Sequence, residues 1–306
     1  MATRKKVKDS ISGYVAVSVM LLALTVALIF LLAGGDLFEV IGLKEAKRAP
    51  LEDSIELHVI DVGQGDSILI CTPEGNVLID AGPKSESDAL EIYLDEMGIK
   101  TLEYVVFTHA HEDHIGGEAA VFNGRQVKNV IISPQESDTN IYMKLLDDID
   151  KSGADVFVAE PNDLYTLGDL KMKILGPREN SYSNINNSSV VMKVSYGSTS
   201  FMLSGDAEKE AEKEILEHYT PSELKCDFYK SGHHGSKTAS SEKFIKTVSP
   251  KIVAISCGKD NKYGLPDEEV LDIYDKNDIE YYRTDKRGSL VFTSDGATVE
   301  LKSTSK

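Results

Sequence analysis

Short apolar runs separated by glycine, aspartate and asparagine fill the chain from residue 54 onward. Runs of this kind, rich in Val, Ile, Leu, Tyr and Phe and bounded by turn residues, are the pattern of β-strands. Three follow in quick succession at 55–60, 67–71 and 76–79, joined by Asp61-Val62-Gly63-Gln64-Gly65-Asp66 and by Thr72-Pro73-Glu74-Gly75. Helical spacing covers 88–97 and stops at Gly98, after which 104–107 reads as a strand. Strands are predicted again at 129–132, 156–159, 169–175, 189–196 and 200–203, with helices at 140–151 and 208–218. The second of these helices carries Glu and Lys four apart, the spacing of a solvated face. The last quarter alternates strand 225–229, helix 241–247, strand 252–256 and helix 267–276, with strands near Tyr281, Leu290 and Val299. Strand groups punctuated by helices predict an α/β (α+β) domain whose sheets pack inward with helices outside.

The first 53 residues follow another pattern. Residues 14–33 are almost unbroken in apolar character, and no charge falls between Ser10 and Gly35. Roughly 20 such residues span the hydrocarbon core of a bilayer. The expected order is a basic cytoplasmic tail at 1–13, a transmembrane anchor at 14–34, a polar linker at 35–53 and a folded domain at 54–302. A secretory signal is the alternative, with Ala33-Gly34-Gly35 as a place for cleavage. Arg4, Lys5, Lys6 and Lys8 favour a cytoplasmic N-terminus, which puts the domain outside a cell membrane crossed once.

Charge narrows the choice of partners. The formal charge is −17, and setting aside the +3 of Arg4, Lys5, Lys6, Lys8 and Asp9 leaves −20 on the remainder. An acidic surface argues against loose adhesion to nucleic acid, although metal ions can hold a phosphate locally. Cys71, Cys226 and Cys257 lie far apart in apolar runs without a CxxC pair, so buried free thiols are expected, with a Cys71–Cys226 bridge as the alternative.

The candidate chemistry gathers at strand ends. Thr108-His109-Ala110-His111-Glu112-Asp113-His114-Ile115-Gly116-Gly117 follows a predicted strand and holds three of the seven histidines. His109 and His111, two apart, point the same way from an extended segment, and Asp113 and His114 lie where the chain turns into a helix. One stretch can therefore face two metal ions. Imidazole and carboxylate together suit zinc, manganese or iron rather than calcium. Three more strands end in polar clusters: Leu78-Ile79-Asp80, Leu203-Ser204-Gly205-Asp206 and Tyr229-Lys230-Ser231-Gly232-His233-His234. Such ends can converge on one edge of a sheet.

Taken together, Asp80, His109-Ala110-His111-Glu112-Asp113-His114, Asp206 and the later histidines resemble the metallo-β-lactamase-fold superfamily. More narrowly, Asp61-Val62-Gly63-Gln64-Gly65-Asp66-Ser67, Asn187-Ser188-Ser189-Val190-Val191, Gly205-Asp206-Ala207-Glu208 and Gly232-His233-His234-Gly235-Ser236-Lys237-Thr238 resemble the extracellular hydrolase domain of ComEC competence proteins. The resemblance implies a four-layer αβ/βα sandwich with two divalent metal ions, zinc or manganese, on one sheet edge. By motif position, His109 and His111 would hold one ion and Asp113 and His114 the other. Asp206 would bridge them, and His234 would complete the second site. Asp80 would orient a ligand histidine, with Asp66 and Asn187 in supporting places. Asn187 stands where many relatives have a histidine, so the His109/His111 site is expected to be one ligand short or weaker. Leu265, between Gly264 and Pro266, also replaces a histidine common in close relatives.

Two divalent ions about 4 Å apart lower the pKa of a shared water towards 7 and stabilise charge on a phosphoryl or carbonyl oxygen. Asp113 and His233 are the expected catalytic residues, His233 as proton donor, and Lys230, Lys237 and Tyr263 are candidate contacts for an anionic substrate. The first expectation is a membrane-anchored metal-dependent phosphodiesterase acting on DNA. A cell-wall teichoic acid or phosphorylcholine phosphodiesterase is the second. A true β-lactamase ranks third, and a non-catalytic binding module that keeps the metal is the alternative from another class.

Overall fold

The computed structural model describes residues 51–305. The expected basic tail, the expected anchor at 14–34 and all but the last three residues of the linker lie outside the described residues. Among those described, no helix is long and apolar enough to cross a membrane.

Period-two alternation in the strands decides what each sheet faces. The first sheet contains β1 (Ile55–Val59), β2 (Ile68–Cys71), β3 (Asn76–Ile79), β4 (Thr101–Phe107), β5 (Gln126–Ile132), β6 (Asp155–Val158), β14 (Leu290–Ser294) and β15 (Val299–Thr304). Its spatial order is β15-β14-β1-β2-β3-β4-β5-β6. The second sheet contains β7 (Leu164–Leu167), β8 (Leu170–Gly176), β9 (Val191–Tyr196), β10 (Thr199–Leu203), β11 (Phe228–Lys230), β12 (Ile252–Ile255) and β13 (Glu280–Arg283), in the order β13-β12-β11-β10-β9-β8-β7. Ile68 and Ile70 of β2, Val77 and Ile79 of β3 and Val106 of β4 share one core with Phe201, Leu203, Phe228 and Ala254 of the second sheet. Their sequence neighbours point the other way. Leu69, Cys71, Leu78, Val105 and Phe107 pack under the helices Ser87–Glu96 (α1) and Asn140–Ser152 (α4), which flank the short helices Glu112–Ile115 (α2) and Glu118–Phe122 (α3) in the chain. Met202, Tyr229, Val253 and Ile255 do the same under the helices Lys209–His218 (α5), Glu242–Val248 (α7) and Glu268–Lys276 (α8). The layers therefore run helix, sheet, sheet, helix. A one-residue slip in any central strand would exchange the two faces, at about 1.5–3 kcal/mol for each large apolar side chain exposed.

Local signals account for the helices. Thr139 Oγ1 accepts the Tyr142 N–H at 3.3 Å at the start of α4, and Gly153 ends it in the left-handed conformation at φ 69°. The helix expected to be solvated is only partly so: Ala211, Glu212 and Ile215 of α5 are buried, because helical period brings them under the sheet. Two further helical turns, Pro221–Leu224 (α6) and Thr284–Arg287 (α9), and strand β7, each four residues long, are too short to be read from the pattern alone. Cys71, Cys226 and Cys257 are buried and free, so the bridge alternative falls away.

In each sheet the strands that carry polar ends run parallel to their neighbours: β3 with β4 and β4 with β5, then β10 with β11 and β11 with β12. The turns after β3 and β4 thus leave one edge of the first sheet together, and those after β10, β11 and β12 leave one edge of the second.

Candidate metal centre

The ligand candidates follow strand ends, and Asp80, His233 and His234 there take backbone that few residues adopt. Asp80 follows β3 at φ 59°, and His233 and His234 follow β11 at φ 47° and φ 53° in the turn Gly232–Gly235. Non-glycine residues in the left-handed region cost about 1–3 kcal/mol each and persist only where the surroundings fix them. Glycines allow the turns to close on one another: a Cβ on Gly65 would lie 2.4 Å from the Asp113 carbonyl oxygen, and one on Gly117 would lie 2.2 Å from that of Ala81.

Asp113, His114, Asp206 and His234 converge, with one ligand atom from each within 4.8 Å of all the others. His114 Nε2 lies 3.2 Å from Asp206 Oδ2, and His234 Nε2 lies 3.3 Å from Asp113 Oδ2 and 3.5 Å from Asp206 Oδ2. Beside them His109 Nε2 and His111 Nδ1 are 3.0 Å apart, and the rings of His109 and His114 are 4.2 Å centroid to centroid. Two imidazoles bound at about 2.0–2.1 Å to one tetrahedral zinc ion place their nitrogens about 3.3 Å apart, so the His109/His111 spacing is close to that of a shared ion. The donor set fits a cation on a second count. His114 Nε2, His234 Nε2 and Asp206 Oδ1 are buried without a hydrogen-bond partner, whereas buried polar atoms are satisfied as a rule. One nitrogen- and oxygen-preferring ion would engage ligands of this cluster together. His114, Asp206 and His234 form a buried floor, and His111, Asp113 and His233 reach towards solvent.

Charge is balanced inside the cluster. Burial, with His114 adding to it, holds His109 well below the ordinary imidazole value, and burial lowers His111 too. Burial also opposes charge on His114 and His234, but Asp206 and Asp80 drive His114 well above that value, and Asp206, Asp113 and Asp66 push His234 up to about 10. Against burial, His234 and His114 hold Asp206 well below the usual carboxylate range and Asp113 down to about 2. Protons on two imidazoles thus offset the carboxylates. Held by Asp113, His114, Asp206 and His234, a divalent ion would supply the same compensation in place of those protons.

The profile described as the Metallo-beta-lactamase superfamily matches residues 60–259, a span that includes the whole cluster. The chain belongs to this superfamily. Among relatives, ComE operon protein 3 of Bacillus subtilis (strain 168) is 33% identical over 255 residues, covering 78% of this chain and 33% of that protein. Competence protein ComA of Neisseria gonorrhoeae is 29% identical over 242 residues, covering 79% of this chain and 32% of its own length. The chain spans about a third of the length of these curated relatives. The metallo-beta-lactamase fold protein YhfI from Bacillus subtilis superposes with a TM-score of 0.52 at 14% identity, covering 79% of this chain and 100% of that one, a likeness of fold.

Within this metallo-beta-lactamase fold the supporting residues take places of their own. Asp80 Oδ2 lies 2.7 Å from His114 Nδ1, and Asp80 accepts the Thr108 N–H at 2.8 Å and the Thr108 hydroxyl at 2.7 Å. Asp66 Oδ1 lies 3.3 Å from His234 Nδ1. Asn187 does not face the histidines through its amide: its Oδ1 accepts from the backbone N–H of Glu208 and Ala211, and its Nδ2 donates to Glu210, so it caps α5. Ser189 is the residue that reaches the first pair, with Oγ 3.3 Å from His109 Nδ1 while it also accepts the Asp206 N–H at 3.1 Å. Lys230 corrects the sequence reading. Its side chain is fully buried and its ammonium is paired with Asp66, so it presents nothing to a substrate from solvent. Lys237 and Tyr263 are exposed, Tyr263 at 62% on the loop 258–266. Leu265 is tied within that loop through both its N–H and its carbonyl to the Asn261 amide. His233 Nδ1 lies 3.1 Å from Glu208 Oε1 and 2.9 Å from Thr238 Oγ1, and its Nε2 lies 3.7 Å from Asp206 Oδ2. Ser189 and Glu208 both fall inside stretches that carry the family resemblance, but neither stood out there as a site residue.

Proposed function

We propose that this chain is a metal-dependent hydrolase of phosphodiesters, anchored by residues 14–34 with its folded domain outside the membrane, and using two divalent ions, zinc or manganese. The observation that carries the reading is the buried convergence of Asp113, His114, Asp206 and His234 with three unsatisfied ligand atoms among them. Divalent cations held there supply Lewis acidity, activating water near neutral pH and offsetting charge that develops on phosphoryl oxygens. Asp113 stands on the solvent side of the cluster, its side chain 32% exposed, where it can orient an incoming group. Glu208 and Thr238 occupy Nδ1 of the half-buried His233, so Nε2 remains the nitrogen from which a proton can pass to a leaving oxygen. DNA is the first substrate because relatives bear competence names. The charge of −20 beyond the basic tail tolerates a zwitterionic or choline-bearing cell-wall phosphodiester better than bare DNA, which makes that the second.

The test uses the full chain in detergent, stripped by chelator and reloaded with manganese or zinc. It is offered plasmid DNA, bis(p-nitrophenyl) phosphate, p-nitrophenyl phosphorylcholine and nitrocefin. Metal-dependent turnover of a phosphodiester is expected, with at least a hundredfold loss in Asp113→Ala and Asp206→Ala. Turnover of none of the four by the loaded chain, or full activity in both variants, would sink the reading.

A further inference from the structure

Lys230 ends β11 on the face that meets the other sheet, and its ammonium has no solvent exposure. A buried ammonium is expensive unless it is paired and hydrogen-bonded. Here Nζ lies 2.8 Å from Asp66 Oδ2 and 3.1 Å from the Ser231 carbonyl oxygen. Asp66 belongs to the turn before β2 in the first sheet, so the pair crosses the interface between the sheets beneath the metal cluster. The other carboxylate oxygen of Asp66 faces His234 Nδ1 at 3.3 Å, and the Ser256 carbonyl oxygen faces the same nitrogen at 3.1 Å.

Both of those neighbours only accept. In the neutral ring that a metal ion requires, Nδ1 of His234 therefore carries the proton, and Nε2 is left to face Asp113 and Asp206. The companion imidazole is built on the same plan with a different anchor. His114 Nδ1 leans on Asp80, which neutral donors of Thr108 hold in place. His234 Nδ1 donates to the Ser256 carbonyl and has the Asp66 carboxylate beside it as an ion-pair partner, and a lysine holds that carboxylate. The difference matters because His234 sits in a turn with two successive left-handed residues, where neither helix nor strand fixes the ring.

We propose that Lys230 is a positioning residue for the metal centre: by clamping Asp66 across the sheet interface it fixes the tautomer and aim of His234. The inference rests on the cluster holding a metal ion. A purely structural staple is the competing role, and removing one charge or both separates the two. Lys230→Met leaves a buried carboxylate unpaired, while Lys230→Met with Asp66→Asn leaves neither charge buried.

The test titrates manganese or zinc into the full chain by calorimetry, melts each protein with chelator present, and reads the His234 ring nitrogens by long-range proton–nitrogen NMR. Lys230→Met should bind metal about 10–100-fold more weakly, the range for loss of a residue that orients a ligand. The double variant should regain the melting temperature but not the affinity, and its His234 should show mixed tautomers. Wild-type affinity in the double variant would overturn the proposal and leave only the staple. Should Lys230→Met fail to fold, the double variant alone decides. A wild-type chain that binds no metal overturns the metal centre and this proposal together, whereas normal binding in wild type and variants overturns this proposal alone.

Discussion

Asp80 and His114 lie 34 residues apart in the chain and meet at 2.7 Å, carboxylate oxygen to ring nitrogen, inside a site where neither side chain is more than 1% exposed. Thr108 donates twice to the same carboxylate, so the contact is fixed from both sides. The far nitrogen of His114 is thereby aimed at Asp206.

Removing that support should weaken the cluster without touching a ligand. Asp80→Ala is expected to lower metal affinity about 10–100-fold, with Asp80→Asn losing less because the amide carbonyl still accepts the ring N–H. Equilibrium dialysis with metal analysis would read the difference. Equal affinity in Asp80→Ala and wild type would rule the support out.

Metal binding and pH are linked through His234. Its pKa is raised from 6.5 to about 10 by partners that exist only in the fold. Without metal, its contribution to stability is complete below about pH 6.5 and is lost as pH rises through about 10. With metal the sign reverses, since the ion requires the neutral ring and binds more tightly as pH rises. Urea unfolding between pH 6 and pH 10, with chelator and then with saturating zinc, should give opposing trends, and calorimetry at pH 7.5 in two buffers should show proton release. Parallel trends would contradict the assignment of His234 as a ligand.

Gly65 tests how closely the two turns must approach. A methyl group there would stand 2.4 Å from the Asp113 carbonyl oxygen and 2.7 Å from Pro83 Cδ. Gly65→Ala should displace Asp113, weaken metal binding at least tenfold and leave the remote sheet edges unchanged in hydrogen exchange. Unaltered binding would mean that the turn yields without moving Asp113.

Glu212 carries a pH dependence that has nothing to do with metal. Burial raises its carboxyl to about 7 from 4.5, outweighing the N–H groups of Ser241 and Ser240. The folded chain then binds more protons than the unfolded one between those values, so stability falls as pH climbs from 4.5 to 7, by about 3 kcal/mol. Glu212→Gln should flatten that slope in chelator-treated protein. A slope that survives the substitution would place its origin elsewhere.

Much of the architecture was legible because period-two alternation in central strands leaves little freedom of face. The histidine stretch was legible for a related reason: an apolar strand that stops abruptly in His109 and His111 has to place them at a sheet edge. Asn187 and Lys230 were less so, because tertiary partners set their roles. Asn187 caps a helix that starts 22 residues later, a pairing that local spacing does not encode. Lys230 did leave a trace, since Phe228 points inward and Tyr229 outward, and the next position must point inward again. A lysine at that register is a buried cation that needs a carboxylate. Glu212 was hidden by its Glu- and Lys-rich neighbours, whose composition masks the single turn that faces the sheet.

Asp113 and His114 come from the first sheet, Asp206 and His234 from the second, and Asp206 follows Asp113 by 93 positions in the chain. Contacts of such long sequence separation form late, after the entropy of closing the intervening chain has been met. A nascent or truncated chain ending before β11 has no site that gathers the four ligands. An ion that needs all four ligands would therefore find them only after the two halves have closed, so metal uptake would report on folding.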